Sequence, residues 1–326
     1  MSATVLITGA TGQVGHAIAR RLAGDGVEPR ALVRSPDRAR VLPDGARPVF
    51  GDVTDAPSLR AALDGCTTVY HAAGIPEQWR RDAGEFARVN VDGTRNVVEA
   101  ALAAGVERFV YTSTDDALVQ GPGETFDESA LNPNPGQTPY QRSKLEADRI
   151  VTAALDRGLP AVFLHPAGLY GPAPFLVKGL NDLLLELAKR KTPMLLPGGM
   201  GVAFSEDVAD GHVRAAAQAP VGARYILAES FQSLTDIARA VAASEPRAKV
   251  PRVMPLGVAK GVSVAGEGVA RVTGRPPLIS RSVLLFLERG SRPSGERARA
   301  ELGWSPTPFT TGVERTLEHF RRQGWI

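Results

Sequence analysis

The chain holds a single cysteine, Cys66, among 326 residues, which excludes an internal disulfide framework and any multi-cysteine metal site. As a lone thiol beside a turn, Cys66 reads as structural rather than nucleophilic. A dominant charge sign is lacking too. Lys and Arg number 38 against 35 Asp and Glu, and no basic block is interleaved with aromatics, which argues against nucleic acid. The basic pair Arg321 and Arg322 reads as part of a solvated helix face. Metal-ligand spacing is missing among the histidines (His16, His71, His165, His212 and His319), so no metal is expected. Neither a GxSxG turn nor a P-loop occurs. No leader of signal-peptide type opens the chain, and the apolar segment Val253–Val272 is interrupted by Lys260, Glu267 and Arg271. A soluble, cytoplasmic protein without a membrane partner is therefore expected. It would act on a small molecule as a monomer or homodimer.

What is present is a rhythm. Short apolar runs at 4–8, 30–33, 48–51, 68–72, 109–112 and 161–165 alternate with amphipathic stretches, such as Val14, Ile18 and Leu22 at four-residue spacing. Parallel strands need crossover helices, so the alternation predicts an α/β fold with a doubly wound parallel sheet of Rossmann type. After Gly171-Pro172 the rhythm breaks. The pattern there predicts a helix over about 176–190, a turn at Pro197-Gly198-Gly199, a helix over 206–218 and a strand over 225–228. The rest reads as mostly helical. Residues 1–171 are thus expected to bind a dinucleotide, with 205–229 returning to that sheet. Residues 172–326 form a smaller, mostly helical substrate-binding region.

The turn Thr8-Gly-Ala-Thr-Gly-Gln-Val-Gly15 joins the first strand to the first helix. Glycines at 9, 12 and 15 permit a tight turn and close approach of backbone to a pyrophosphate, which the helix N-terminus then attracts. At the end of the second strand an acid would accept from a ribose 2′-hydroxyl, whereas a cation would pair with a 2′-phosphate. The sequence reads Leu32-Val33-Arg34-Ser35, with Arg38 following and no acid. Guanidinium suits phosphate, so NADP(H) is favoured, with NAD still open; the rival reading is a solvated surface Arg34. Asp52 follows the third strand, placed either to accept from the adenine amino group or to cap a helix.

Tyr140 and Lys144 lie in Tyr-Gln-Arg-Ser-Lys, within a helix predicted over 139–155. Four-residue spacing puts both on one face. A ketone that accepts a hydride needs a proton at its oxygen, and the reverse reaction needs that proton removed. Lowering a tyrosine from about 10 toward neutrality requires roughly 4 kcal/mol. One ammonium about 4 Å away supplies that order of energy at an effective dielectric near 20. Taken alone, such a pair is common on surfaces; its place downstream of the glycine turn and the fifth strand raises it. That strand ends in Tyr111-Thr-Ser-Thr-Asp-Asp116, where Thr114 either hydrogen-bonds the reacting oxygen or merely satisfies strand-end backbone.

These landmarks occur together and in order, joined by His71-Ala-Ala-Gly74, Asn90-Val-Asp-Gly-Thr94 and His165-Pro-Ala-Gly-Leu-Tyr-Gly-Pro172. In this the chain resembles the extended short-chain dehydrogenase/reductases, also called the NAD-dependent epimerase/dehydratase family. Its pattern is closest to members similar to 3β-hydroxysteroid dehydrogenase and dihydroflavonol reductase. The resemblance implies Thr114, Tyr140 and Lys144 as the catalytic trio. It implies that Gly9, Thr11, Gly12, Gln13, Val14, Gly15, Arg34, Asp52, Val53, Ala72, Ala73, Gly74, Asn90 and Thr112 line the cofactor, together with Tyr140 and Lys144. Pro166 and Leu169 match positions beside the nicotinamide.

Two departures bear on the substrate. Gly168 stands where sugar-nucleotide members usually carry Asn, and no Arg precedes Asp207 in Gly199–Asp207, which removes a natural diphosphate partner. Against this, Thr114-Asp115-Asp116 is similar to the Thr-Asp-Glu of sugar-nucleotide dehydratases. His165 stands where Arg is usual. The resulting expectation is an NADP(H)-preferring oxidoreductase that moves a hydride between nicotinamide and a ketone or secondary alcohol of a moderately apolar substrate. Trp79, Phe86 and Phe175 are candidate pocket walls, with a core role as the alternative. The rival readings are an NAD-retaining sugar-nucleotide epimerase or dehydratase, and a sensor that keeps the fold without catalysis.

Overall fold

The strand Val5–Thr8 is buried along its whole length and pairs in parallel on both sides, with Arg30–Val33 and with Thr68–His71. The computed structural model describes residues 4–76, 80, 82–134, 136, 138–175, 179–273 and 280–326. Seven parallel strands run in the spatial order Arg224–Leu227, Ala161–Pro166, Arg108–Thr112, Thr68–His71, Val5–Thr8, Arg30–Val33 and Arg47–Phe50. After Val5–Thr8 the chain builds outward on one side, then returns and builds on the other. That reversal opens a crevice at the carboxyl ends of the strands, where α/β proteins hold their ligands.

Side chains alternate across the strands, so the sheet has a core on each face. Val5, Ile7, Val110, Val162 and Leu164 pack on one side with Ile18 and Leu22 of the helix Gln13–Gly24. Leu6, Val69, Phe109, Tyr111 and Phe163 pack on the other with Val97, Ala101 and Val151. The helix Pro139–Leu155 spans the predicted residues, and Ser205–Gln218 begins one residue earlier than expected. Arg224–Leu227 pairs in parallel with Ala161–Pro166 at the sheet edge. The buried Glu128 carboxylate accepts from the Ile226 amide at 2.5 Å, supplying the partner that this edge strand lacks on its open side.

Beyond Gly171 the structure corrects two expectations. The helix expected over 176–190 is described as Leu180–Ala188, while residues 176–178 lie outside the described part. Gly199, expected to close a turn, instead begins a strand. Gly199–Phe204 forms the middle of a three-stranded sheet, flanked by Gly168–Tyr170 in parallel and Ser230–Ser233 antiparallel. Glycine, serine and methionine made these strands look like turns. A side chain at Gly199 would collide with the Gln232 carbonyl, and one at Gly168 with the Gly201 carbonyl, so the small residues serve close strand approach. A third core of Tyr170, Leu184, Phe204, Ile237, Val313 and Leu317 lies under this sheet.

Candidate active site

The turn after Val5–Thr8 is shaped by backbone contact. Gly9 sits at φ +74°, and a Cβ there would lie 2.6 Å from the Ala72 carbonyl oxygen. A Cβ at Gly15 would run into the Gly9 carbonyl, so both positions demand glycine. Gly12 caps the helix Gln13–Gly24 with no side-chain hydrogen bond. The first-turn amides thus have no side-chain acceptor, the donor arrangement that suits a phosphate group. Thr11 and Val14 flank the cap in this turn, both half-buried. Gln13 is buried and donates to the Gly171 carbonyl oxygen at 3.3 Å, tying the turn to the far side of the crevice.

The neighbouring strand ends complete this wall. Arg34 is exposed, and Ser35 caps the short helix Pro36–Ala39 by accepting from the Arg38 amide at 3.4 Å. Among the described residues Arg34 and Arg38 form no ion pair. Asp52 folds its carboxylate onto its own turn, accepting from the Thr54 amide and hydroxyl, each at 2.9 Å. It therefore caps the turn before the helix Ala56–Leu63. Val53 is buried against Gly93.

At the end of Thr68–His71 a buried chain of hydrogen bonds fixes the loop Ala72-Ala73-Gly74. Thr8 Oγ1 accepts from the Ala73 amide at 3.3 Å and lies 2.7 Å from His71 Nδ1; His71 Nε2 lies 3.0 Å from Thr94 Oγ1. Burial pushes His71 down to about 3, so it is neutral, donating at one ring nitrogen and accepting at the other. Asn90 sits in the π-helical turn Ala87–Asp92 and brackets Ile75, accepting from its amide at 2.7 Å and donating to its carbonyl at 3.2 Å. It also donates to Ser143 Oγ at 2.9 Å, so its role in the structure is to hold the loop to the helix Pro139–Leu155.

That helix begins with a capping box in which Thr138 and Gln141 satisfy each other's backbone. Tyr140 therefore occupies the first turn, where the helix dipole favours negative charge. Phe86 packs edge-on against its ring at 6.3 Å. Lys144 is buried; its Nζ donates to the Thr112 carbonyl at 2.7 Å and stands 5.1 Å from the Tyr111 ring centre. Burial pushes its ammonium down to about 8, against the opposing pull of Asp148. The Thr112 hydroxyl turns away to His212 Nε2 at 2.9 Å. Thr114 is buried and caps the turn after the strand, accepting from the Asp116 amide at 3.3 Å.

Sequence reasoning missed the network behind these residues. Asp148, fully buried one turn after Lys144, accepts from Ser113 Oγ at 2.6 Å and from Arg224 Nη2 at 2.8 Å. Arg224 Nη1 donates to His165 Nε2 at 3.2 Å, and His165 Nδ1 donates to the Thr114 carbonyl at 2.9 Å. Both ring nitrogens are thereby assigned to a neutral imidazole, and burial indeed pushes His165 down to about 4. Burial opposes the Asp148 charge, yet Arg224 and Ser113 hold its carboxyl below the usual range. His165 thus has a definite consequence. It links Arg224 to the strand end that carries Thr114.

Asp115 and Asp116 are half-buried neighbours, and burial raises both carboxyls, Asp115 further because Asp116 adds its charge. Gln141 Nε2 donates to Asp116 Oδ1 at 3.3 Å. A cavity of about 310 Å³ opens beside the helix start, lined among others by Asp116, Gln120, Asn132, Gln141 and Arg289. Pro166 is buried at a strand end, and Leu169 lies in the small sheet opposite Ala203. Of the suggested pocket walls, Phe86 is buried against Tyr140, Phe175 is exposed, and Trp79 lies outside the described residues. No cluster of metal-ligating side chains occurs among the described residues.

Residues 5–228 match the model of the NAD dependent epimerase/dehydratase family. The chain is 28% identical over 328 residues to sterol demethylase protein B of Methylococcus capsulatus, covering 99% of this chain and 100% of the relative. It is 29% identical to a 4-hydroxy-2-methyl-3-oxo-4-farnesyl-3,4-dihydroquinoline-1-oxide ketoreductase of Stigmatella aurantiaca, covering 92% of this chain and 91% of the relative. The crystal structure of gox2253 superposes with a TM-score of 0.86 at 29% identity, covering 100% of both chains.

Proposed function

The chain belongs to the NAD dependent epimerase/dehydratase family of NAD(P)-dependent enzymes, and on that footing we propose that it is an NADP(H)-preferring ketone reductase or secondary-alcohol dehydrogenase. The observation that carries this reading is the buried Lys144 one turn after Tyr140, beneath the carboxyl edge of the sheet. Bound nicotinamide supplies or accepts the hydride at the substrate carbon. Tyr140 delivers the proton to the carbonyl oxygen, or removes it in reverse. Lys144, held by the Thr112 carbonyl, places positive charge beside the phenol and orients the ribose. Thr114 positions the reacting oxygen with a hydroxyl held at the strand end.

NADP(H) preference rests on Arg34, exposed beside the Ser35 cap with no carboxylate partner among the described residues. Residues 1–171 with 205–229 hold the cofactor, and the remainder of 172–326 closes over the substrate. The name of the Stigmatella ketoreductase supports ketone reduction, and an isoprenoid substrate there is in keeping with a moderately apolar substrate here. The test is a panel of ketones assayed for turnover with NADPH and NADH. Reduction of at least one ketone, faster with NADPH, is expected; tightly retained NAD with no net turnover of added NADPH would replace this reading. That replacement, an NAD-retaining dehydratase, is favoured by one observation, the raised carboxyl of Asp116 beside the cavity.

A further inference from the structure

The helix Leu256–Thr273 is turned inside out. It buries Ala259, Ser263 and Ala270 and leaves Leu256, Val258, Val262 and Val264 exposed. At 100° per residue, Val258, Gly261, Val262, Val264, Ala265 and Gly268 share one arc of about 160°, and none of them is polar. Lys260 and Glu267 fall beside that arc, and Lys260 is engaged with Glu288 at 2.9 Å. On neighbouring elements Val250, Val253, Val283 and Leu285 are exposed as well. Eight of the thirteen large apolar side chains exposed among the described residues fall within 250–285. Scattered single exposures are ordinary, but this concentration is not.

The same stretch is basic. Residues 247–289 contain eight Lys or Arg and two Glu, a net +6 in a chain of net +3. Arg247, Lys249, Arg252 and Arg281 are exposed and form no ion pair among the described residues. We propose that this face docks onto the surface of an anionic lipid bilayer, with the apolar arc entering the headgroup boundary and the cations meeting lipid phosphates. An apolar arc with a basic rim is the composition of an interfacial helix. No helix among the described residues is long and apolar enough to cross a membrane. The interruptions that exclude a span are no obstacle to lying on a surface. A second copy of the chain is the poorer occupant, because it would set one +6 segment against another.

The experiment is co-sedimentation of the full chain with vesicles of phosphatidylcholine alone, or of equal parts phosphatidylcholine and phosphatidylglycerol, at low and high salt. Binding is expected only to the anionic vesicles and should weaken with salt. The double substitutions Val258→Asp with Val262→Asp, and Lys249→Glu with Arg252→Glu, should each lower it at least about tenfold while leaving the melting temperature in place. All four sites are exposed. Should the valine variant fail to fold, the charge reversal and the salt dependence still decide the matter. The proposal is overturned if wild type ignores anionic vesicles, or if both variants bind like wild type. It is equally overturned if the chain is a dimer that Val258→Asp with Val262→Asp dissociates without any vesicle binding, since the face would then be a self-interface. None of these outcomes depends on the reductase reading.

Discussion

The Lys144 ammonium lies 2.7 Å from the Thr112 carbonyl oxygen, at the carboxyl end of the strand Arg108–Thr112. One hydrogen bond thus fixes the cation to the sheet, while the helix Pro139–Leu155 fixes Tyr140 relative to it. Burial holds Lys144 down to about 8, so its charge titrates within the working range. The ammonium form is present below that value and is lost as pH rises through it. Ketone reduction in the free enzyme should therefore fall by up to about tenfold per pH unit above pH 8, since the uncharged amine no longer stabilises a phenolate. The pH profile of kcat/KM checks this. A rate still flat at pH 9.5 would mean that Lys144 is not the controlling charge.

Tyr140→Phe keeps the ring that packs against Phe86 and removes the acidic proton. Turnover should drop by about 10²–10⁴-fold, the ordinary value of one positioned acid or base. Cofactor binding should survive, because Lys144 keeps its own anchor on Thr112. Single-turnover NADPH oxidation and cofactor fluorescence titration separate the two. Near wild-type turnover would assign the proton to another group.

Arg34→Ala removes the exposed guanidinium beside Ser35. A charge-assisted hydrogen bond contributes about 1.5–3 kcal/mol, so NADPH affinity should fall roughly 10- to 100-fold while NADH affinity hardly changes. Dissociation constants for both cofactors provide the measurement. Equal losses, or a wild-type preference for NADH, would remove the case for NADP(H).

The residues that were legible in the sequence are those whose local conformation is their function. The glycine turn declares itself because Gly9 and Gly15 touch backbone, and strand rhythm follows from burial on both faces of the sheet. Strands built from Gly199, Gly201 and Gly168 gave no apolar alternation and were invisible. The Asp148 and Arg224 pair was half visible. Asp148 continues the four-residue spacing of Tyr140 and Lys144, but its partner arrives on a strand 76 residues later, which no local pattern could announce.

That pair carries its own prediction. Asp148 is fully buried and Arg224 nearly so, with its guanidinium 4.0 Å from the Phe163 ring centre. Asp148→Asn strands a buried cation and should cost about 3–5 kcal/mol, the usual result of removing one partner of a buried pair. Adding Arg224→Met should recover much of that loss, because neither charge then remains unpaired. Denaturant unfolding of the single and double variants measures it. Additive losses would show that the two residues act independently.

The last prediction separates a reductase from a dehydratase through Asp116. In elimination, an acid near the phenol must protonate a leaving hydroxyl, and burial has raised the Asp116 carboxyl toward that use. In ketone reduction it has no proton to deliver. In the structure its Oδ1 accepts from Gln141 at 3.3 Å and the residue lines the neighbouring cavity, which suits a group that shapes the entrance. A general acid must come within about 2.6–3.2 Å of its target, and Asp reaches one carbon–carbon bond, roughly 1.5 Å, less far than Glu. Asp116→Asn keeps the shape and can still accept from Gln141, but it cannot donate an acidic proton. Ketone reduction by this variant should therefore stay within about tenfold of wild type, a barrier change of no more than about 1.4 kcal/mol. Single-turnover NADPH oxidation with the best ketone of the panel measures this. A loss of several hundredfold, accompanied in wild type by water elimination from a sugar nucleotide, would assign Asp116 the acid's role and the chain a dehydratase's chemistry.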